Sequence, residues 1–171
     1  MKRLYAPWRN NYITDARKKS GEPGSLKEGC VFCVRFDQDD DEKNYILKRF
    51  TDAIVVMNSY PYNKGHLMVL PRVHKADFRD LNAKVRGEVM EAISMSLSVL
   101  EDAIACEGFN VGVNLGKAGG GGIPGHLHVH IVPRWLNDTN FLEITADVRL
   151  ISFEMETTYT ILREAFKKVS G

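Results

Sequence analysis

The heptapeptide His126-Leu127-His128-Val129-His130-Ile131-Val132 places three of the chain's five histidines at i, i+2 and i+4. Side chains of a β-strand alternate between faces, so this spacing sends three imidazoles to one side and Leu127, Val129 and Ile131 to the other. The segment is expected to be a strand with an apolar face against a core and a wet, reactive face opposite. Three imidazoles on one face are too polar to be buried passively, so a chemical cause is required. Two chemistries suit them: a metal site supplied by neutral imidazole nitrogens, or nucleophilic and acid–base catalysis near neutral pH, where histidine titrates.

The neighbouring residues bear on that choice. Immediately upstream lies LGKAGGGGIPG, with glycines at 116, 119, 120, 121, 122 and 125. Without side chains, such a loop can close its backbone N–H groups around phosphate oxygens. It carries no GK[ST] and leads into a strand rather than a helix, so neither a Walker loop nor a helix dipole is at work. Phosphate donors beside a histidine nucleophile point to attack on phosphorus. Lys and Arg (23) nearly balance Asp and Glu (22), leaving +1. No long-range field gathers nucleic acid or an anionic membrane, so an anionic ligand must be held by local chemistry.

Along the 171 residues, 44% hydrophobic and 26% charged composition is that of one globular domain and excludes global disorder. No apolar run approaches the roughly 20 residues of a membrane helix. The N-terminus has no apolar stretch of signal-peptide type, and a cytoplasmic location is expected. Three cysteines, few and odd in number, argue for reduced thiols or metal ligation rather than a disulfide framework.

Residues 1–29 are expected to form an irregular arm, and Asp37 to Glu42 a solvated acidic loop. YILKRF, AIVVMN and HLMVLP read as short strands, as do Phe109 to Leu115, His126 to Val132 and Val148 to Ser152. Leu81, Val85, Val89, Ile93, Leu97, Leu100 and Ile104 recur at helical spacing, which predicts a long core-facing helix with Asp77 as its N-cap and Cys106 as a buried thiol upon it. Tyr159, Leu162 and Phe166 predict a C-terminal amphipathic helix. The fold class is α+β: a mostly antiparallel sheet with helices on one side.

HLHVHIV resembles, at all seven positions, the His-φ-His-φ-His-φ-φ signature of the histidine triad family of nucleotidyl hydrolases and transferases. VVMNSYPYNKGHLMVLPRVH is similar to the family's upstream segment, with Asn58 eight residues before His66. The resemblance implies a five-stranded sheet with a long helix and a C-terminal helix, continued across a homodimer. It also implies that His128 attacks the α-phosphorus of a nucleotide and becomes a covalent nucleotidyl-imidazole, that His130 contacts the phosphate and leaving group, and that His126 and His66 complete the catalytic set, His66 in support of the other two. Asn58 would bind ribose hydroxyls, while Asn114 and the amides of Gly121 and Gly122 would hold phosphate oxygens. Phe32, Ile54, Val56 and Leu67 are candidate walls of a purine slot, although core packing accounts for them better.

Cys30-Val31-Phe32-Cys33 is compatible with half of a tetrahedral zinc site, or with two small residues in a turn. The family mechanism leaves His74 and His126 for the other half of a structural zinc site; no organic cofactor is implied. APWRNNYI, CVFC, the spacing from Asn114 through Gly121 to Trp135, and VPRWLNDTNF look like the bacterial diadenosine tetraphosphate phosphorylase branch. In that branch inorganic phosphate resolves the nucleotidyl-histidine, giving ADP and ATP, and the residue at the Trp135 position helps recognise the substrate. Gly122 stands where relatives carry serine.

Overall fold

The computed structural model describes residues 29–138 and 153–169. Residues 1–28 of the expected arm and the expected strand Val148 to Ser152 lie outside the described residues. In chain order the elements are α1 (Val31–Phe36), β1 (Ile46–Arg49), β2 (Ala53–Met57), β3 (Leu67–Pro71), α2 (Ala83–Ile104), β4 (Gly108–Val113), β5 (Val129–Arg134) and α3 (Met155–Lys168). The five strands form one sheet in the order β1-β2-β3-β5-β4. Every neighbouring pair is antiparallel, as expected for the fold class.

Register decides which side chains share a face. Val55 pairs with Val69 and Met57 with Leu67, and these four join Val89, Leu100, Leu162 and Phe166 in the larger core, under α2 and α3. The alternate pairs, Ile54 with Leu70 and Val56 with Met68, face the opposite way. There they pack against Cys30, Phe32, Cys33 and Phe36. Helices are thus not confined to one side of the sheet. The six-residue α1 covers the second face, a role its length hid from any periodicity reading. Leu67, a candidate purine wall, is fully buried in the core on the other face from Phe32, Ile54 and Val56.

The long helix starts later than expected. Asp77 caps a single 3₁₀ turn (Phe78–Asp80), accepting a hydrogen bond from Arg79 N. Asn82 caps α2 itself, its Oδ1 accepting from Val85 N at 2.9 Å. Both Asp and Asn are good N-caps, and the intervening Leu81 is extended, which separates the two turns. Cys106 is buried in the larger core but lies beyond the helix end, after the left-handed Ala105.

Asn58 to His66, between β2 and β3, is held at both ends. Asn58 Oδ1 accepts from Tyr60 N (2.9 Å), and Asn58 N donates to His66 O (2.9 Å). Asn63 Nδ2 donates to Pro133 O and to Asp138 Oδ2, each at 3.0 Å. Gly65 closes the turn at φ +69°, where an added Cβ would stand 2.7 Å from Ile104 Cδ1. Among the described residues, no helix is long and apolar enough to cross a membrane.

Candidate active site and metal cluster

Only Val129–Arg134 of the histidine segment is hydrogen-bonded as strand, so His126 and His128 lie just ahead of β5. His130 is opposite Met68 on β3 and Gly112 on β4. The alternation holds, but the reactive face is not open to water. His126 and His128 are buried, because Phe32 of α1 packs on both, with ring centroids at 5.6 and 5.3 Å.

The three imidazoles divide between two sites. His128 and His130 are neighbours, with centroids 5.0 Å apart, and His66 joins His130 at 5.1 Å. His126 turns instead toward Cys30, Cys33 and His74. Each of these four residues offers one ligand atom, all lying within 4.8 Å of one another.

Hydrogen bonding fixes the protons in the first group. Tyr62 N–H lies 3.0 Å from His66 Nδ1, and an amide N–H can only donate, so Nδ1 is the accepting nitrogen. The His66 proton is therefore on Nε2, which donates to His130 Nδ1 at 3.0 Å. With His130 Nδ1 accepting, the His130 proton is on Nε2. His128 Nδ1 lies 2.8 Å from His126 O, and a carbonyl can only accept. His128 Nδ1 thus holds the proton and Nε2 keeps a lone pair. Burial pushes the His66 pKa down to about 3, with the neighbouring His130 and His128 adding to it. Burial lowers that of His128 too, against an opposing pull from its bond to His126 O. Both rings are neutral at physiological pH. One ring thus offers a bare imidazole nitrogen and its neighbour an imidazole N–H donor, a pairing whose chemistry suits nucleophilic attack with support for developing negative charge.

The second group suits a tetrahedral ion. His126 Nδ1 lies 3.4 Å from Cys30 Sγ and 3.5 Å from Cys33 Sγ, and His74 Nδ1 lies 3.4 Å from Cys33 Sγ. Zinc–sulfur bonds of about 2.3 Å and zinc–nitrogen bonds of about 2.0–2.1 Å, set tetrahedrally, require sulfur–nitrogen edges of about 3.5–3.6 Å. His126 Nε2 lies 2.9 Å from Pro71 O, which fixes that proton and aims the Nδ1 lone pair at the sulfurs. Burial pushes its pKa down to about 4, so the nitrogen is free to ligate at neutral pH. Cys30 and Cys33 sit at the N-terminal end of α1 rather than in a turn.

Of the other expected site residues, Asn114 stands one position beyond the last β4–β5 pair, Val113 with Val129, and so opposite His128. The glycine loop folds back onto it: a Cβ added at Gly121 would lie 3.2 Å from Asn114 Cβ, and one at Gly119 3.2 Å from the Asn114 carbonyl carbon. Gly122 is exposed at the head of the loop. Asn58 turns its Nδ2 toward His66 Nδ1 at 3.4 Å. Trp135 is joined to the far end of α2, its Nε1–H donating to Ala105 O at 2.9 Å. Sequence reasoning missed Phe32 as the packing partner of both His126 and His128, and missed Tyr62. Tyr62 could have been suspected from its place in SYPYNKGH, four residues ahead of His66.

The model of the HIT domain family matches residues 40–136. The chain is 35% identical over 162 residues to AP-4-A phosphorylase of Mycobacterium tuberculosis, covering 95% of this chain and 83% of that protein. Similar solved structures include a zinc-bound histidine triad family protein from Mycobacterium smegmatis, with TM-score 0.67 and 22% identity over 85% of this chain and 98% of that one. A histidine triad nucleotide-binding protein from Sulfolobus tokodaii has TM-score 0.65 and 21% identity, covering 82% and 94%.

Proposed function

Because the chain belongs to the histidine triad family, we propose that it is an enzyme cleaving dinucleoside polyphosphates of the diadenosine tetraphosphate type through a nucleotidyl-His128 intermediate. The observation that carries this reading is the proton pattern: a bare Nε2 on His128, held by the 2.8 Å bond from Nδ1 to His126 O, beside a His130 imidazole that donates from Nε2. His128 Nε2 attacks the α-phosphorus, the P–N bond forms, and the bond to the bridging oxygen breaks. ATP leaves with its new terminal oxygen accepting a hydrogen bond from His130 Nε2–H. Positive charge gathered on His128 is stabilised by the His126 carbonyl.

Inorganic phosphate then attacks the same phosphorus from the vacated side, the P–N bond breaks, and ADP departs with His128 neutral again. Phosphate as the acceptor is supported by the 35% identity to a protein named AP-4-A phosphorylase. Backbone amides of Gly121 and Gly122, with Asn114, are assigned to the phosphate oxygens. Asn58 is assigned to the ribose and Trp135 to substrate recognition. We assign zinc to Cys30, Cys33, His74 and His126, where it would cross-link α1 to the residues before β5. The enzyme is further proposed to work in the cytoplasm as a homodimer with its sheet continued across the twofold axis.

Product analysis of diadenosine tetraphosphate with and without millimolar phosphate tests the reading. ADP plus ATP, formed only with phosphate, is the expected result. AMP plus ATP in both conditions would make the enzyme a hydrolase with water as acceptor. No cleavage in either would overturn the substrate class in favour of a nucleoside phosphoramidate or a nucleotide sensor.

A further inference from the structure

Tyr62 stands beside the histidines and has no part in the proposed chemistry. The residue is 37% exposed, yet its ring does not simply lie on the surface. It tilts over His66, with centroids at 4.7 Å and planes at 36°, and stacks with His130 at 6.0 Å and 28°. It therefore spans the two imidazoles whose mutual hydrogen bond sets the His130 proton. We propose that Tyr62 is the positioning residue of the His66–His130 pair, its ring keeping both imidazoles in the one orientation that points the His130 Nε2–H into the site. The inference deepens the reading of His130 given above and rests on it.

The physical case has three parts. An imidazole ring can turn by half a revolution about χ2, exchanging a nitrogen for a carbon at each edge, and packing against its faces opposes this together with the ring's hydrogen bonds. Neither the Tyr62 N–H bond to His66 nor the His66 bond to His130 survives such a turn. Second, a hydrogen bond between two imidazoles contributes little net stability when water competes for its ends. An aromatic face laid across the pair lowers the local dielectric and excludes that water. Third, Tyr62 is itself fixed. Pro61 restricts the backbone before it, and the hydrogen bonds of Asn58 and Asn63 hold the segment at both ends. The ring and the N–H come from one residue, so the group that sets the tautomer of His66 also covers it.

The test compares Tyr62→Phe and Tyr62→Ala with the full-length wild type, by ¹⁵N-resolved NMR of the histidine side chains and by steady-state kinetics on diadenosine tetraphosphate with phosphate. Wild type and Tyr62→Phe are expected to show His130 as a single Nε2–H tautomer with equal turnover. Tyr62→Ala is expected to show exchange between tautomers at His130 and a loss of about tenfold in kcat, with KM little changed. A Tyr62→Ala protein that keeps the single tautomer overturns the proposal, and so does a Tyr62→Phe protein that behaves like Tyr62→Ala, since the hydroxyl rather than the ring would then act. If wild type fails to turn over the tetraphosphate, the substrate reading falls, while the tautomer measurement still decides the role of Tyr62.

Discussion

Lowering the pH from 7 to 5 protonates an ordinary imidazole, but His66 has no place for a second proton. Its ring is fully buried, and its Nδ1 already faces the Tyr62 N–H. The folded-state pKa of about 3 lies well below the value of 6.5 that an unfolded chain restores. Between those limits the unfolded state binds the extra proton, so stability falls as the pH falls, from about pH 6.5 until the folded state also protonates near pH 3. Linkage between the two pKa values gives a loss of about 2 kcal/mol between pH 7 and pH 5 from this residue alone.

Urea unfolding of the wild type and of His66→Asn at both pH values isolates the term. His66→Asn is less stable at pH 7, because the Tyr62 N–H and His130 Nδ1 lose their partner, but it lacks this dependence on pH. The carboxylates and the other histidines titrate in both proteins and cancel in the difference. At an m-value of about 2 kcal/mol/M, the wild-type midpoint is expected to fall by about 1 M more than that of the variant. Equal falls in the two proteins would refute the claim that His66 is buried neutral.

Three further outcomes are expected. Gly65→Ala forces an L side chain into a left-handed backbone and drives Cβ against Ile104; it is expected to cost about 2–4 kcal/mol in chemical denaturation, and a cost below about 1 kcal/mol would contradict the turn geometry. Cys30→Ser removes one sulfur from the four-ligand cluster. A lower zinc content by elemental analysis is expected, with a loss of about 2 kcal/mol that lowers Tm by about 4–8 °C; unchanged metal content would remove the zinc assignment. His128→Ala is expected to reduce turnover at least about 10³-fold and to abolish covalent labelling by radiolabelled nucleotide, with an unchanged circular dichroism spectrum. Wild-type turnover in that variant would displace the nucleophile elsewhere.

What could be read in the sequence follows from the range of each signal. Alternation over HLHVHIV and the recurrence from Val85 to Ile104 are local patterns, and both recur in the structure as β5 with its lead-in and as α2. Asp77 reads as the cap of the long helix, yet it caps a 3₁₀ turn while Asn82, five residues on, caps α2; the difference is not legible locally, because an acceptor side chain starts any kind of helical turn. The four-residue cluster was legible as chemistry but not as packing. A six-residue helix has too little length to show a period, so the covering of His128 by Phe32 was invisible until the chain was folded. The place of Tyr62 over two histidines depends on β3 and β5 being neighbours, and no spacing along the chain encodes that.

The groups that set the protons of His66 and His128 are main-chain: the Tyr62 amide and the His126 carbonyl. Every residue type carries that carbonyl, and every type but proline carries that amide. Side-chain substitution therefore cannot delete these partners outright, and can only shift the backbone that holds them. Purine walls, loop residues and acceptor preferences can change while these two partners stay with the path of the chain, which leaves to side chains such as Tyr62 the orientation of the rings the partners serve.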